Sequence, residues 1–461
     1  MSINLRARIG VGAVLTIAWG MACSQARQVR VEDAARQKYV AGDYDGAVKI
    51  LQEAKGEAFQ SRDRVAYWMN VGMLMHDGGK YDESTKLLQQ AAVAADQLYT
   101  TSISSEAASL GSNQTVTDYE GENFERVLLH VVSALNYAEA GDLENARVEA
   151  VKTNEKLKYF RTQGGDQPPV FSQDAFADWL TGIIYEMQGD ANDALISYKS
   201  AAAAYQDVYG KYFQMPPPLF LGEDIVRAAR KAGAGFEEDV QRAKQTFPGA
   251  DGKTFGLMKD HGELLLLHAC GEAPIKRDFF LQCGQHGHEK PGCDYSVGDS
   301  GFERSPSFVA AGELRKVAMP IFEVRRHVID RVRVSDGEQS VESVAVEPIA
   351  EIAVKDLNDR LRRTFVKAVG RALAKATVEK AARSGIGQIL KGVNSYNEEA
   401  DKRSWHTLPS SFNVARMWLA PGEHELALDF LDGAGNVVRH KSVHATVAAG
   451  KRVIVTVPSV D

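Results

Sequence analysis

Cysteine is scarce in this sequence, with four among 461 residues, too few for a disulfide-dense secreted fold. No one sign of charge dominates. The net charge of −7 is small for the length and gives no global electrostatic case for nucleic acid as a partner. Past the first two dozen residues no apolar run approaches the roughly twenty residues of a membrane span. Catalytic signatures are missing as well: there is no G-x-S-x-G, no H-E-x-x-H, no P-loop and no complete G-x-G-x-x-G. Gly385-Ile386-Gly387 lacks both the third glycine and a preceding strand, which fits a helix stop. Nothing resembles an assembled nucleophile and base, so neither an enzyme nor a cofactor is expected. What is there is ordinary for a folded chain: 44% hydrophobic and 25% charged residues. The length amounts to about three domains, enough to bury large cores without a metal or disulfide scaffold.

The first residues give a destination. Arg6 and Arg8 precede an apolar run from Ile9 to Ala22, and Cys23 follows. A basic segment, a short apolar segment and small residues before a cut site describe an export signal over residues 1–22. Gly20-Met21-Ala22-Cys23 resembles a lipoprotein signal in which the cysteine thiol is acylated, although Gly20 stands where leucine is usual. Lipidation at Cys23 is therefore expected, and Ser24 in place of Asp favours an outer-membrane lipoprotein facing the periplasm. Ordinary signal-peptide cleavage, leaving a free periplasmic protein, fits the same residues. Either compartment is oxidising.

An internal repeat fills the first half. AGDYDGAV, GGKYDEST, AGDLENAR and QGDANDAL share one pattern around Gly42, Gly79, Gly141 and Gly189. Seven residues before each glycine stands Ala35, Gly72, Ala134 or Gly182, and five after it Ala47, Ser84, Ala146 or Ala194. Such spacing suits antiparallel helix pairs: small residues allow close approach, and the glycine ends the first helix in a left-handed conformation. The pattern resembles the tetratricopeptide repeat, with Trp68 and Gly72 strengthening the second unit. Gly42 and Gly79 are 37 residues apart, near that repeat's period of about 34. Longer gaps follow, and the serine- and threonine-rich stretch Thr100–Thr117 is expected to be an exposed loop.

Beyond residue 214 the pattern changes. Met215-Pro216-Pro217-Pro218 interrupts any helix, a helix is expected over Gly222–Gln245, and strands follow. They are expected at Glu263–His268, Arg315–Val324, Val328–Val334, Val341–Val346, Phe412–Leu419, Glu425–Leu431, Val437–Arg439, Ser442–Val447 and Arg452–Val457. Short alternating runs separated by Pro421-Gly422, Gly433-Ala434-Gly435 and Ala449-Gly450 describe an antiparallel sandwich or barrel. One helix over 354–383 interrupts them. Its stripe of Leu357, Leu361, Phe365, Val369 and Leu373 should pack on the sheet. Its nine Lys and Arg against Asp356, Asp359 and Glu379 should form a solvated basic face. The alternative is a face that docks on anionic lipid or an acidic partner.

The expected class is α+β: residues 23–214 a helical tetratricopeptide-like array, 215–255 a helical linker, and 256–461 a mostly antiparallel, β-sandwich-like region carrying the 354–383 helix. Within it, Cys283, His286, His288 and Cys293 have the residue types of a tetrahedral metal site. Exported cysteines oxidise, however, and a Cys283–Cys293 disulfide is the preferred expectation over metal. Cys270 is then a buried small residue in or after a strand. The carboxylates Asp118, Glu120, Glu122 and Glu125 could be an acid pair or cation site, but their place at a loop–helix junction fits helix capping better.

Three separated stretches resemble a family of bacterial tetratricopeptide-containing envelope lipoproteins whose function is not established. The first runs from Tyr119-Glu120-Gly121-Glu122-Asn123-Phe124-Glu125-Arg126 through Ala134–Tyr137 and Gly141-Asp142 to Ala146-Arg147-Val148-Glu149. The second is Gly262-Glu263-Leu264 with Ala273-Pro274-Ile275-Lys276. The third is Ala400–Pro409 with Ala415-Arg416. The resemblance spans most of the chain after residue 22, the Cys283–Cys293 loop departing from it, and implies architecture more than activity. The function expected is a non-enzymatic, membrane-anchored scaffold whose concave repeat surface holds a partner protein, such as an envelope assembly factor or a peptidoglycan synthase. The alternative is a glycan- or ligand-binding module using Trp405 or Trp418 as stacking platforms, against which both tryptophans are more simply read as core.

Overall fold

A computed structural model describes residues 27–104, 117–165, 168–284, 292–297, 303–305, 315–361 and 401–461. It is an α+β protein with a helical first half and a β-rich second half. Four antiparallel helix pairs come first: α1 (27–40) with α2 (Tyr44–Glu53), α3 (Arg64–Asp77) with α4 (Tyr81–Ser104), α5 (Asn123–Glu139) with α6 (Leu143–Gln163), and α7 (Ala175–Met187) with α8 (Ala191–Ala204). A π-helical turn, Tyr205–Tyr209, and the short α9 (Gly210–Tyr212) close the array.

Each pair turns at a glycine. Gly42, Gly79, Gly141 and Gly189 have φ between 73° and 87°, which an L side chain resists. The aspartate after three of them starts the next helix: Asp43, Asp142 and Asp190 accept hydrogen bonds from the backbone of Gly46, Asn145 and Asp193. Lys80 stands at the second turn, and it pairs with Asp45 at 2.6 Å instead. Small residues meet where paired helices touch. A Cβ on Gly72 would lie 2.8 Å from Leu88, and one on Gly182 would enter the Tyr198 ring. Ala47, Ser84, Ala134, Ala146 and Ala194 are buried, and Ser84 donates to the Gly72 carbonyl at 2.7 Å.

Residues 215–255 pack as part of the body. They form α10 (Phe220–Ala232), α11 (Glu237–Thr246) and α12 (Lys253–Leu257), and α10 buries Leu221, Ile225, Val226, Ala228 and Ala229. The helical stretch expected over Gly222–Gln245 is divided into two helices by Gly233 at φ 115°.

Among the described residues twelve strands make three four-stranded sheets. They are β1 (Gly262–Cys270), β2 (Ile275–Gly284), β3 (Gly292–Val297), β4 (Glu303–Ser305), β5 (Arg315–Glu323), β6 (Ile329–Ser335), β7 (Ser340–Glu342), β8 (Val344–Glu347), β9 (Ser411–Leu419), β10 (Gly422–Asp432), β11 (Val437–Val447) and β12 (Arg452–Ser459). The first sheet runs β12-β1-β9-β8, the second β11-β10-β6-β7, the third β4-β3-β2-β5. Among these strands pairing is antiparallel except between β1 and β12. The two strands expected at Val437–Arg439 and Ser442–Val447 are one, since His440 and Lys441 sit on an exposed stretch that charge does not interrupt.

The first two sheets form a sandwich: Leu264, Leu266, Met417 and Leu419 pack on Val332, Leu426, Leu428 and Phe430. The opposite side of the first sheet, with Leu265, Leu267, Phe412, Val414 and Ile454, belongs to the same core as the helices. Hence β1 is buried along its whole length, as expected of a strand covered on both faces.

Helix α13 (349–361) begins directly after Pro348, five residues before the expected start. Proline is tolerated at a helix entry, where its missing N–H is not needed. Residues 362–383 of the expected helix lie outside the described residues. The stretch Thr100–Thr117 is not all loop, because α4 continues to Ser104. No helix among the described residues is long and apolar enough to cross a membrane.

Candidate functional site

The sheet occupies a face where a repeat array would receive its partner. In α3, α5 and α7, the first helices of their pairs, burial extends all round: every residue from Phe124 to Asn136 and from Ala175 to Glu186 is buried. One side of these helices packs on α4, α6 and α8. The other packs on the first sheet, where Phe176 stacks on Phe412 at 5.2 Å and Glu139 accepts from Thr456 of β12. The expectation of an open inner surface is thus corrected. The chain fills that face itself, because its strands supply apolar residues on both sides.

Buried charge fastens this interface. Glu186, Arg227, Asp224, Arg416, Glu263 and Arg452 form a closed ring of alternating sign drawn from α7, α10, β9, β1 and β12. Arg227 grips Glu186 through two nitrogens at 2.7 and 2.9 Å, and Arg416 reaches Asp224 at 2.8 and 2.9 Å. Trp179 Nε1 donates to Asp224 at 2.9 Å, and the Tyr198 hydroxyl donates to Glu186 at 2.9 Å. Burial alone would raise the Glu186 carboxyl, but Arg227 and Arg452 outweigh it and hold it well below the usual range. Removing one member would leave an uncompensated buried charge.

A second network lies at the other end of the interface. Glu122 and Glu125 form a capping box at the start of α5, so the capping role is correct, yet both carboxylates do more. Glu122 pairs with Lys276 of β2 and Arg360 of α13. Glu125 accepts from the Trp405 backbone at 2.7 Å and the Tyr119 hydroxyl at 2.6 Å. Arg403 pairs with Asp401 at 2.8 Å and Asp63 at 3.2 Å. The three stretches that carry the family resemblance therefore meet in space. Arg360, assigned to a solvated basic face, is one-third exposed and turned to Glu122 and Asp356.

A cleft of about 660 Å³ between α4, α5 and α6 stays open to solvent in the array. Arg126 forms its floor, only 3% exposed, its guanidinium 3.9 Å from the Tyr99 ring centre. Asp96 accepts from Arg126 and Lys156, each at 2.7 Å, while Glu149 accepts from Lys152 at 2.8 Å and contacts His130 at 2.7 Å. Burial would raise both carboxyls, but these hydrogen bonds outweigh it and hold both low. Val93 and Tyr159 stand exposed on the walls. An open hollow of about 590 Å³ between α3 and α4 shares Gln89 and Val93 and adds Trp68, Gln90 and Gln97. Sequence reasoning missed this cleft. Its signal was Arg126 amid the otherwise apolar face of α5, with Glu149 and Lys156 a helix away.

Trp405 is buried at the interface between array and sheet, so it offers no stacking platform, and Trp418 is half-buried. Cys270 is a free buried thiol at the end of β1, 3.2 Å from the Ile329 carbonyl, and burial pushes it up to about 12. The β2–β3 register sets Cys283 directly opposite Cys293; the side chains of both, with Cys23, His286 and His288, lie outside the described residues. Among those described, no cluster of three His, Cys, Asp or Glu could hold a metal.

No family model matches the chain, and the curated proteins yield no match. Solved structures similar to it include MamA of MSR-1, at 16% identity over 50% of this chain and 98% of that one, TM-score 0.29. A putative kinesin light chain of Podosopora anserina with nearly identical TPR-like repeats matches at 15% identity over 50% and 97%, TM-score 0.32. The apo form of RapI matches at 10% identity over 49% and 56%, TM-score 0.34. Overlap at these scores carries no functional argument. The geometry of the chain itself, with glycine-turned antiparallel pairs meeting through small residues, makes the first half a tetratricopeptide-type array whose first-helix face is closed by a sheet.

Proposed function

We propose that this chain is a non-enzymatic binding scaffold of the bacterial envelope, anchored through lipid at Cys23, that docks a partner protein in the cleft between α4, α5 and α6. The observation that carries the reading is the division of the array's surface. With the face of α3, α5 and α7 given to the sheet, this cleft, joined through Gln89 and Val93 to the hollow beside it, is a large concavity that the array keeps open. Its exposed Val93 and Tyr159, ringed by mutually neutralised charges, suit a segment offering apolar side chains within a polar backbone.

The test is crosslinked capture from solubilised envelope. Val93→Arg and Tyr159→Arg should abolish capture and leave the melting temperature unchanged. Ile196→Arg, at a more exposed apolar residue of α8 outside the cleft, should retain it. Full capture by both cleft variants would remove the cleft as the docking site. Cys23→Ser should release the protein from membranes and prevent fatty-acid labelling; a wild type already soluble and unlabelled would remove the anchor.

A further inference from the structure

Two departures from regular structure converge at one point of the helix–sheet interface. The π-helical turn Tyr205–Tyr209 aims both tyrosines at β8. Opposite them, the β8–β9 register slips between Ala345 and Glu347, a bulge that re-aims the strand. The Tyr205 hydroxyl donates to the Val346 carbonyl at 2.9 Å. The Tyr209 hydroxyl stands 2.5 Å from Glu347 and 3.4 Å from Asp174, the N-cap of α7. Asp174 and Glu347 are both buried.

Unlike the charge ring, this pair meets no cation among the described residues. From α7 the neighbouring charge is Asp178, which accepts from Ser200 of α8 and is eased by Arg161 of α6. From α13 it is Glu351. The π-helical turn supplies the two phenols, its Asp207 standing exposed to solvent. Two carboxylates sharing one hydroxyl in a dry site repel each other unless a proton lies between them.

We propose that Asp174, Glu347 and Tyr209 form a proton-held latch between the helical array and the sheet, closed when the carboxyl pair is protonated and loosened when both ionise. Burial, aided by the Asp178 charge, raises Asp174 to about 7, and burial, then repulsion from Asp174, raises Glu347 well above its ordinary value. A folded-state value above the unfolded one means the latch contributes fully below about pH 4. That contribution is lost as pH rises through about 7 and beyond. Neutral to alkaline conditions therefore free β8 and the start of α13 from α7.

Hydrogen exchange on the wild-type protein reads the latch directly. Between pH 5.5 and 8.5, corrected for intrinsic chemistry, protection at residues 205–213 and 344–352 should fall about tenfold more than protection in α5. Equal changes in the two regions would overturn the proposal. Glu347→Gln keeps the shape and removes the titration. The wild type should lose about 2–4 °C of melting temperature relative to this variant over the same interval. Parallel melting curves would overturn it equally, and the exchange result stands if the variant does not fold.

Discussion

Gly72 and Gly182 occupy the same position in the second and fourth repeats, yet the structure assigns them different tolerance for a single methyl group. An alanine in a helix interior gains about 1 kcal/mol over glycine, and overpacking a core costs about 1–3 kcal/mol. At Gly72 the added carbon meets a terminal methyl of Leu88, 2.8 Å away. A leucine can rotate, so Gly72→Ala should change stability by less than about 1 kcal/mol in either direction. At Gly182 the added carbon meets the Tyr198 ring, which is fully buried and tied through its hydroxyl to Glu186 of the charge ring. The ring cannot withdraw without giving up a hydrogen bond to a carboxylate, worth about 1.5–3 kcal/mol. Gly182→Ala should therefore destabilise by about 2–4 kcal/mol net. Urea unfolding of both variants, followed by circular dichroism, gives the comparison. In a Tyr198→Leu background the Gly182→Ala penalty should largely vanish, since the rigid ring is gone. If Gly182→Ala proves as stable as Gly72→Ala, the close approach of α7 and α8 does not hold and the reasoning fails.

Glu263→Gln should cost about 3–5 kcal/mol, because it leaves Arg416 and Arg452 facing a neutral amide, measured as the shift in urea midpoint. Glu122 is held down to about 2, with Arg360 and Lys276 outweighing its burial. Its contribution is present above about pH 4.5 and lost as pH falls through about 2; Glu122→Gln should therefore flatten the acid limb of a stability profile. The Cys283–Cys293 bridge, across a loop of about ten residues, would add about 2–3 kcal/mol. Non-reducing peptide mapping should find the linked pair, and two free thiols with one equivalent of zinc would reverse the assignment.

The array was legible because its rules are local. Glycine at a left-handed turn, aspartate one residue later and a small residue seven before leave their marks within a single helix pair, as at Gly141, Asp142 and Ala134. Most strands were legible from alternation, and β1 from its run of leucines. The interface was not. Glu186, Asp224, Glu263, Arg416 and Arg452 are scattered over 267 residues, and each resembles an ordinary surface charge until the fold closes. Likewise Arg126 and Lys156 look like solvated helix residues, and their sharing of Asp96 exists only in three dimensions. Concavity of an array says that a surface exists; whether that surface is free depends on distant strands.

The parallel pairing of β12 with β1 has a consequence for how the molecule comes into being. Leu264 to Leu267 lie beside Val453 to Thr456, and Arg452 closes the last link of the charge ring. Of the twelve strands described, β12 leaves the ribosome last. Until it arrives, α3 and α5 lack the cover that β12 gives their flanks, and Glu186 and Glu263 lack the arginine that pairs with both. The repeats therefore cannot mature one by one from the start, as free-standing solenoids can. Their completion waits on long-range closure, which makes folding slow and leaves an interval in which a chaperone would find sticky helices to hold.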